Sequence, residues 1–410
     1  MKRIGRKIEL NAINIFLLVS ISGIVLFFLI APFLRQRSLE WLVMENNPHY
    51  IVLDFQLAEL WGQHFGNAYE KSEIIYPPMA LLAFKYISRI TTSFDLSCDK
   101  CDVIHYPYQL MVLLLYVSLP VIWLYRCFQN TGLNRSKLSQ LMFCIVCSVP
   151  MFAGGIEKSN IILYVIPMIF SAFLLKDSDN KVKREAALLL IALAASIKVF
   201  PAIMGLIYVK EKRWRESFRL LIYGAALFFL PFSFFGGLSG IKCYFHNSVV
   251  RNEYYAKRYE YFKGLLAFAN IQGIKLKILS FAFAVALIAL LMMTKDIFRE
   301  KVYFASFLAF VPNCMYRYML LLFLIPLFYL IKEDENKNID LKDKINAVIL
   351  ASIFSIPTVW GLLTGFRLNF GLYSCTYVEL YIYIFAWTLL IYQIVLDLKA
   401  LIEYIQKERI

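Results

Sequence analysis

Three charged residues that lie in or beside apolar segments are the candidates for chemistry in this chain: Asp54, Lys198 and Arg317. Asp54 follows the first apolar segment, within the stretch 51–61. A carboxylate held at the edge of a bilayer is suited to take a proton from a hydroxyl, so we predict Asp54 to be a general base. Lys198 and Arg317 are predicted at membrane depth, where an ionisable group costs roughly 2.5–3.5 kcal/mol and is a functional candidate by default. A cation fixed there would stabilise the charge that develops on a phosphate leaving group.

Each of these residues also has a structural interpretation. Asp54 is suited to cap a short helix over 54–65. Lys198 and Arg317 could reach the interface from helix ends through their long stems, or pair with a buried carboxylate. Glu59 lies five residues after Asp54, so it would face away from Asp54 on a helix and is a weak second carboxylate.

Further binding residues are predicted around Tyr76 and Asn160. Tyr76-Pro-Pro78 is expected to break the preceding loop and to start a helix, because proline is favoured in a first helical turn. In Glu157-Lys-Ser-Asn160, Asn160 is a candidate to bind a sugar hydroxyl. Lys158 is a candidate to bind substrate, or to pair with Glu157.

The composition predicts a polytopic membrane protein. The chain has 410 residues, of which 60% are hydrophobic and 18% charged, and apolar runs of spanning length recur along it. We predict an all-α, single transmembrane domain over 1–410, with no separate soluble domain. The runs cover 12–34, 107–125, 138–153, 160–175, 185–209, 218–235, 276–294, 302–331, 345–363 and 377–398.

The net charge of +14 resides mostly in short basic clusters between these runs. Such clusters are typical of orientation signals and of contacts with anionic headgroups, and they argue against nucleic-acid binding. Placing the early clusters inside predicts an uncleaved first span, an inside N-terminus and an outer loop over 35–106. Within that loop, 77–92 is amphipathic and expected to lie along the interface.

Two apolar runs, 185–209 and 302–331, have basic clusters at each end. Each run either crosses once or forms a hairpin of two short legs. We favour hairpins, because Lys198 and Arg317 would then lie at the apexes, where irregular backbone lines a protein cavity. This interpretation gives about twelve crossings, against about ten if each run crosses once, so we expect a bundle of about 10–12 transmembrane helices. It also leaves the loop 236–275 outside, where Arg258 lies among tyrosines and bases that suit an anionic headgroup, a phosphate-bearing acceptor or an interfacial belt.

Other chemistries have little support in the sequence. The four histidines are scattered without ligand spacing, so no metal and no other cofactor is expected. Cys98 and Cys101 lie in a polar stretch, where a disulfide and two free thiols remain equal alternatives.

These elements resemble the GT-C superfamily of integral-membrane glycosyltransferases, and most closely glycosyltransferase family 87. That family includes polyprenyl-phosphate-mannose-dependent mannosyltransferases of phosphatidylinositol mannoside synthesis. The resemblance is a pattern spread over most of the chain. It is carried by Asp54 after the first span, Tyr76-Pro-Pro78, Ala195-Ser-Ile-Lys198-Val-Phe-Pro201 and Tyr316-Arg-Tyr318. Where many members have Gly-Gln-x-Asn, this chain has Glu157-Lys-Ser-Asn160.

The resemblance implies a GT-C-like bundle in a cell membrane, expected to be the bacterial inner membrane. It implies an inverting transfer of a sugar, with mannose expected, from a polyprenyl-phosphate donor to a lipid-linked or glycan acceptor at the outer face. By position, Asp54 corresponds to the catalytic base, and Lys198 and Arg317 to ligands of the donor phosphate. An O-antigen polymerase or ligase and a transporter of polyprenyl-linked glycans remain alternatives.

Overall fold

The structure is a computed structural model that describes residues 11–30, 55, 66, 68–71, 74–91, 107–156, 158–255, 271, 273–311, 317–334, 340–355, 367–370 and 373–408. The predicted all-α membrane fold is confirmed. Helices form nearly all of the described structure, and the described strands are β1 (Arg367–Phe370) and β2 (Tyr373–Thr376), which pair antiparallel. The helices are α1 (Ala12–Ile30), α2 (Ala68–Lys71), α3 (Pro78–Thr91), α4 (Pro107–Phe128), α5 (Arg135–Cys147), α6 (Ile162–Leu175), α7 (Lys181–Ile197), α8 (Gly205–Lys210), α9 (Trp214–Phe229), α10 (Leu238–Tyr255), α11 (Gly273–Met293), α12 (Ile297–Phe310), α13 (Leu324–Asp334), α14 (Leu341–Ile353) and α15 (Tyr377–Glu408).

Several of these helices are long and apolar enough to cross a bilayer. In the described part of the chain, five segments meet this criterion on length and composition: Ala12–Leu29, Leu110–Thr131, Trp214–Phe234, Gly273–Met293 and Tyr381–Lys407. Shorter helices between them, such as α6, are almost wholly buried among their neighbours. The bundle therefore has long helices that expose apolar surface and short helices that form its interior.

The apolar run 185–209 forms a hairpin, as predicted. Helix α7 ends at Ile197, a 3₁₀ segment follows over 200–204, and α8 returns to Lys210. Pro201 causes the break, because it has no N–H to donate to the oxygen of Ile197 and its ring would clash with that oxygen in a continuous helix. The legs end side by side, since the guanidinium of Arg213 donates to the backbone oxygen of Lys176 at 2.9 Å.

The run 302–331 has the same form. Lys301, near the start of α12, lies with its ammonium nitrogen 5.2 Å from the ring centroid of Tyr329, in the middle of α13. Phe310, at the end of α12, has its ring centroid 6.4 Å from that of Phe323, just before α13 begins. The two helices must therefore run in opposite directions between those residues. We call the open end of each hairpin, opposite its apex, the root. An ion pair between Lys210 and Glu300 joins the two roots, with 2.5 Å between nitrogen and oxygen.

The roots lie in a network of ion pairs that we call the charged end of the bundle. Arg213 donates to the carboxylate of Glu216 through two nitrogens, at 2.6 and 2.8 Å, and to Asp177 at 2.9 Å. Lys176 pairs with Glu211 at 2.5 Å. The bond to Glu216 raises the pKa of Arg213 above its ordinary value, so the guanidinium stays charged. We call the opposite end, which contains the hairpin apexes, the apex end.

The first span disagrees with its predicted orientation. Helix α1 packs along α14, and Phe16 near the start of α1 lies with its ring centroid 6.5 Å from that of Phe354, just beyond the end of α14. The start of α14 lies at the charged end, because Lys342 pairs there with Asp296 at 3.2 Å. The start of α1 therefore lies towards the apex end, whereas the inside N-terminus predicted from basic residues would place it at the charged end.

Removing Arg213 is expected to destabilise the protein. Arg213→Ala would remove the main partner of Glu216 and one of the two partners of Asp177, at a cost of about 1–3 kcal/mol for hydrogen bonds to charged groups. The measurement is the thermal unfolding midpoint of the detergent-solubilised protein. Arg215→Ala is the matched control, because Arg215 is exposed two residues away. Equal midpoints for the two variants would contradict a structural role for the Arg213 network.

Candidate functional site

Three predicted binding residues meet at the apex end, although they are far apart in the sequence. The ammonium nitrogen of Lys198 lies 4.2 Å from the ring centroid of Tyr76. The side-chain amide of Asn160 donates to the hydroxyl oxygen of Tyr76 at 3.2 Å. Tyr76 therefore joins the hairpin apex to the turn before α6. We call Tyr76, Asn160 and Lys198 the apex cluster.

The local backbone explains how Lys198 reaches this cluster. Lys198 follows the last residue of α7 and is extended, with φ −139° and ψ 119°. Its N–H still bonds the oxygen of Ala194 at 2.9 Å, so the residue closes the helix while its side chain leaves the helical path. A cation at the carboxyl end of a helix is also favoured by the helix dipole.

Asn160 is fixed by a tight turn. The preceding segment, Pro150–Ile156, is a π-helix, and Ser159 has a left-handed backbone with φ +50°. Gly155 lies close to Leu163 beside this turn, because a Cβ on it would be 2.6 Å from the Leu163 Cδ2 and would force that side chain to move. The side-chain oxygen of Asn160 accepts from the N–H of Ile162 at 2.9 Å. Because the side-chain nitrogen donates to Tyr76, both polar atoms of the amide have partners within the protein.

Asn160 is only 1% exposed. Its predicted contact with a sugar hydroxyl is therefore not accessible in this conformation, and its observed contact is with Tyr76. Lys158, in the same turn, is half-buried.

Tyr76 is held from its backbone. The backbone oxygen of Tyr76 accepts from the hydroxyl of Tyr69 at 2.8 Å. The ring of Tyr76 packs against Phe84, with 5.4 Å between ring centroids. Pro78 begins α3, as the proline pair predicts. Helix α3 is amphipathic, as expected, with Ala80, Leu81 and Phe84 buried and Tyr86 exposed.

The apex cluster has the chemistry of an anion site. An ammonium group and a phenol hydroxyl are hydrogen-bond donors that suit a phosphate, and Lys198 and Tyr76 are only partly buried. The contact between Lys198 and the ring is worth about 0.5–2 kcal/mol and restrains the ammonium group.

Arg317 lies on the second hairpin, where its backbone begins the 3₁₀ segment Arg317–Phe323. This segment packs against Pro150–Ile156, which leads into the turn of Asn160. The second hairpin therefore approaches the cluster through its backbone. The side chain of Arg317 lies outside the described residues, and so do Asp54, Glu59, Cys98, Cys101 and Arg258.

Two residues that support the cluster were not predicted. Tyr69 bonds the backbone of Tyr76, and Asn247 on α10 donates to the oxygen of Tyr69 at 2.9 Å. The region 236–275 was predicted to be a loop, but its first part forms α10, which runs to Tyr255. Gly240, Tyr244 and Asn247 recur at helical spacing on the inner face of α10. This spacing is the sequence signal that could have predicted a role for Asn247.

Comparison with known proteins places the chain in a family. A family model described as glycosyltransferase family 87 matches residues 75–323, more than half of the chain. The matched region includes the apex cluster and Arg317, and position 54 precedes it. No curated protein and no solved structure matches the chain. The chain belongs to glycosyltransferase family 87 and is a multi-pass membrane glycosyltransferase.

Proposed function

We propose that the protein transfers a sugar, with mannose expected, from a polyprenyl phosphate to a lipid-linked or glycan acceptor. Asp54 takes the proton of the acceptor hydroxyl, and the hydroxyl oxygen forms a bond to the anomeric carbon. The bond between that carbon and the phosphate oxygen breaks, and the polyprenyl phosphate leaves with the bonding electron pair. Attack opposite the leaving group inverts the anomeric configuration.

The apex cluster is the observation that carries this proposal. The polyprenyl phosphate gains negative charge as it leaves, and Lys198 supplies a fixed positive charge at a helix break. The hydroxyl of Tyr76 lies beside it as a second donor, with Asn160 behind. Asn160 acts on the substrate through Tyr76 in this proposal. Arg317 completes the phosphate site from the second hairpin, and Lys158 contacts the substrate from the turn.

Phe55 supports the role of Asp54, which it follows in the chain. Phe55 is 1% exposed and lies with its ring centroid 5.3 Å from that of Tyr116. Tyr116 in turn accepts from the hydroxyl of Tyr164, one helical turn after Asn160, at 2.9 Å. Phe55, the residue that follows Asp54, therefore lies against α4 beside α6, the helix that begins just after Asn160. Arg258, eleven residues after Asn247, is proposed to bind an anionic acceptor or lipid headgroup.

The charge distribution supports an active site at the outer face of a cell membrane. Basic residues are concentrated in the described loops and helix ends of the charged end, at Lys176, Lys210, Lys212, Arg213 and Arg215, and segments rich in lysine and arginine tend to stay in the cytoplasm. The apex cluster lies at the opposite end. We propose the bacterial inner membrane as the location.

Asp54→Asn is expected to abolish transfer and to preserve donor binding, because the amide cannot accept the proton. The assay follows sugar transfer in membranes from a polyprenyl-phosphate sugar, with a nucleotide sugar and a diphosphate-linked oligosaccharide as alternative donors. Glu59→Gln is the matched control and should retain activity. Full activity of Asp54→Asn would remove Asp54 as the base, and use of the oligosaccharide alone would favour a polymerase or ligase.

Lys198→Gln is expected to lower kcat/KM for the lipid-phosphate donor by about 10²–10³-fold, the loss typical of one preorganised electrostatic group. Lys198→Arg should recover part of this loss, and Tyr76→Phe should lose less, because the ring under Lys198 remains. Lys242→Gln is the control, since it removes an exposed charge from α10 at the same end. Equal activities of Lys198→Gln and Lys242→Gln would contradict a donor-phosphate role.

The outer-face location is tested by cysteine labelling in intact cells that contain a variant without native cysteines. Val199→Cys lies beside Lys198 and is 50% exposed, whereas Val182→Cys lies at the charged end and is 75% exposed. A membrane-impermeant maleimide should label position 199 and not position 182. Labelling at position 182 alone would place the apex cluster at the inner face.

A further inference from the structure

The buried side-chain amide of Asn247, on α10, binds two backbone oxygens of the chain that leads from α2 to α3. The side-chain nitrogen of Asn247 donates to the backbone oxygens of Tyr69, at 2.9 Å, and Ile74, at 3.3 Å. Asn247 is 7% exposed, so these bonds are shielded from water. The two oxygens belong to the chain that leads directly into Tyr76, and α10 therefore holds this chain from outside the apex cluster.

Tyr69 provides the second restraint on the backbone of Tyr76. Its hydroxyl donates to the oxygen of Tyr76 at 2.8 Å. Its ring is buried among Phe232, Phe235 and Tyr244, with centroid separations of 5.5, 5.7 and 5.8 Å. Aromatic packing on several sides fixes the direction of the hydroxyl, which then fixes the backbone of Tyr76.

We infer that Asn247 and Tyr69 are positioning residues that hold Tyr76 against Lys198 and Asn160. They touch no substrate in this assignment and act through the backbone of the 69–76 segment. The effect on reaction rate rests on the proposed function. The effect on the segment itself rests only on the hydrogen bonds described above.

Asn247→Asp is the sharpest variant, because it keeps the shape of the side chain and removes its donors. A carboxylate would also repel the two carbonyl oxygens that the amide now binds. Ser248→Ala is the matched control on the same helix. The hydroxyl of Ser248 donates to Tyr244 within α10 at 2.8 Å, so its loss leaves the 69–76 segment untouched.

Hydrogen exchange of the full-length protein in detergent tests whether Asn247 restrains the chain that leads into Tyr76, without any assay of activity. Asn247→Asp is expected to speed amide exchange in peptides that cover 69–80, and Ser248→Ala is expected to leave it unchanged. Peptides from α6 report on overall folding in each variant. Unchanged exchange over 69–80 in Asn247→Asp would overturn the inference.

Kinetics test the consequence. Asn247→Asp and Tyr69→Phe should each lower kcat/KM on the order of 10- to 100-fold, since misplacement of a binding group by about 1 Å has such effects. In a Tyr76→Leu background, Asn247→Asp should have about twofold further effect at most, because it acts through Tyr76. Asn247→Gln, which keeps the donors, should recover activity in part.

The outcomes separate the two proposals. Full additivity of Asn247→Asp and Tyr76→Leu would overturn the positioning role and leave the proposed transferase intact. A wild-type protein that transfers no sugar from a polyprenyl-phosphate donor, together with faster exchange in Asn247→Asp, would reject the donor and support the hold on Tyr76.

Discussion

Backbone that leaves the helical ladder inside a bilayer must find its hydrogen bonds within the protein, and the break at Lys198 is governed by this constraint. Pro201 ends α7, and the chain reverses and returns through α8. The break exposes a cation at the carboxyl end of a helix, and the ring of Tyr76 packs on that cation. The position of Tyr76 depends in turn on Asn160 and Tyr69, so the support of one ammonium group extends over four parts of the chain.

The charged end has the complementary task of fixing the roots of the hairpins. Lys301 is 3% exposed in its side chain, pairs with Glu300 and lies 4.5 Å from the ring centroid of Phe173. Buried ion pairs contribute little net stability, but they penalise arrangements that separate the partners. The pair of Lys210 and Glu300 therefore restricts how one hairpin can shift against the other. Lys198 and the backbone of Arg317 lie at the far ends of the legs that this pair joins.

The sequence predicted the parts of this arrangement that depend on local pattern. Polar residues at the centre of an apolar run with basic ends predicted each hairpin, and Tyr76-Pro-Pro78 predicted the start of α3. Asn247 was missed because its partners are backbone oxygens far away in the chain, which have no residue type to recognise. The orientation of α1 was also missed, since basic residues near its start do not report the packing of Phe16 on Phe354.

The departure of this chain from the pattern of similar proteins falls on one side of the turn. Where many members of the family have Gly-Gln-x-Asn, this chain has Glu157-Lys-Ser-Asn160. Asn160 caps α6 through Ile162 and bonds Tyr76, so the unchanged residue is the one that the apex cluster requires. Gly155 and the left-handed Ser159 preserve the course of the turn around it. The side chain of Asn160 is thus bonded to Tyr76 and Ile162, whatever charge the residues before it carry.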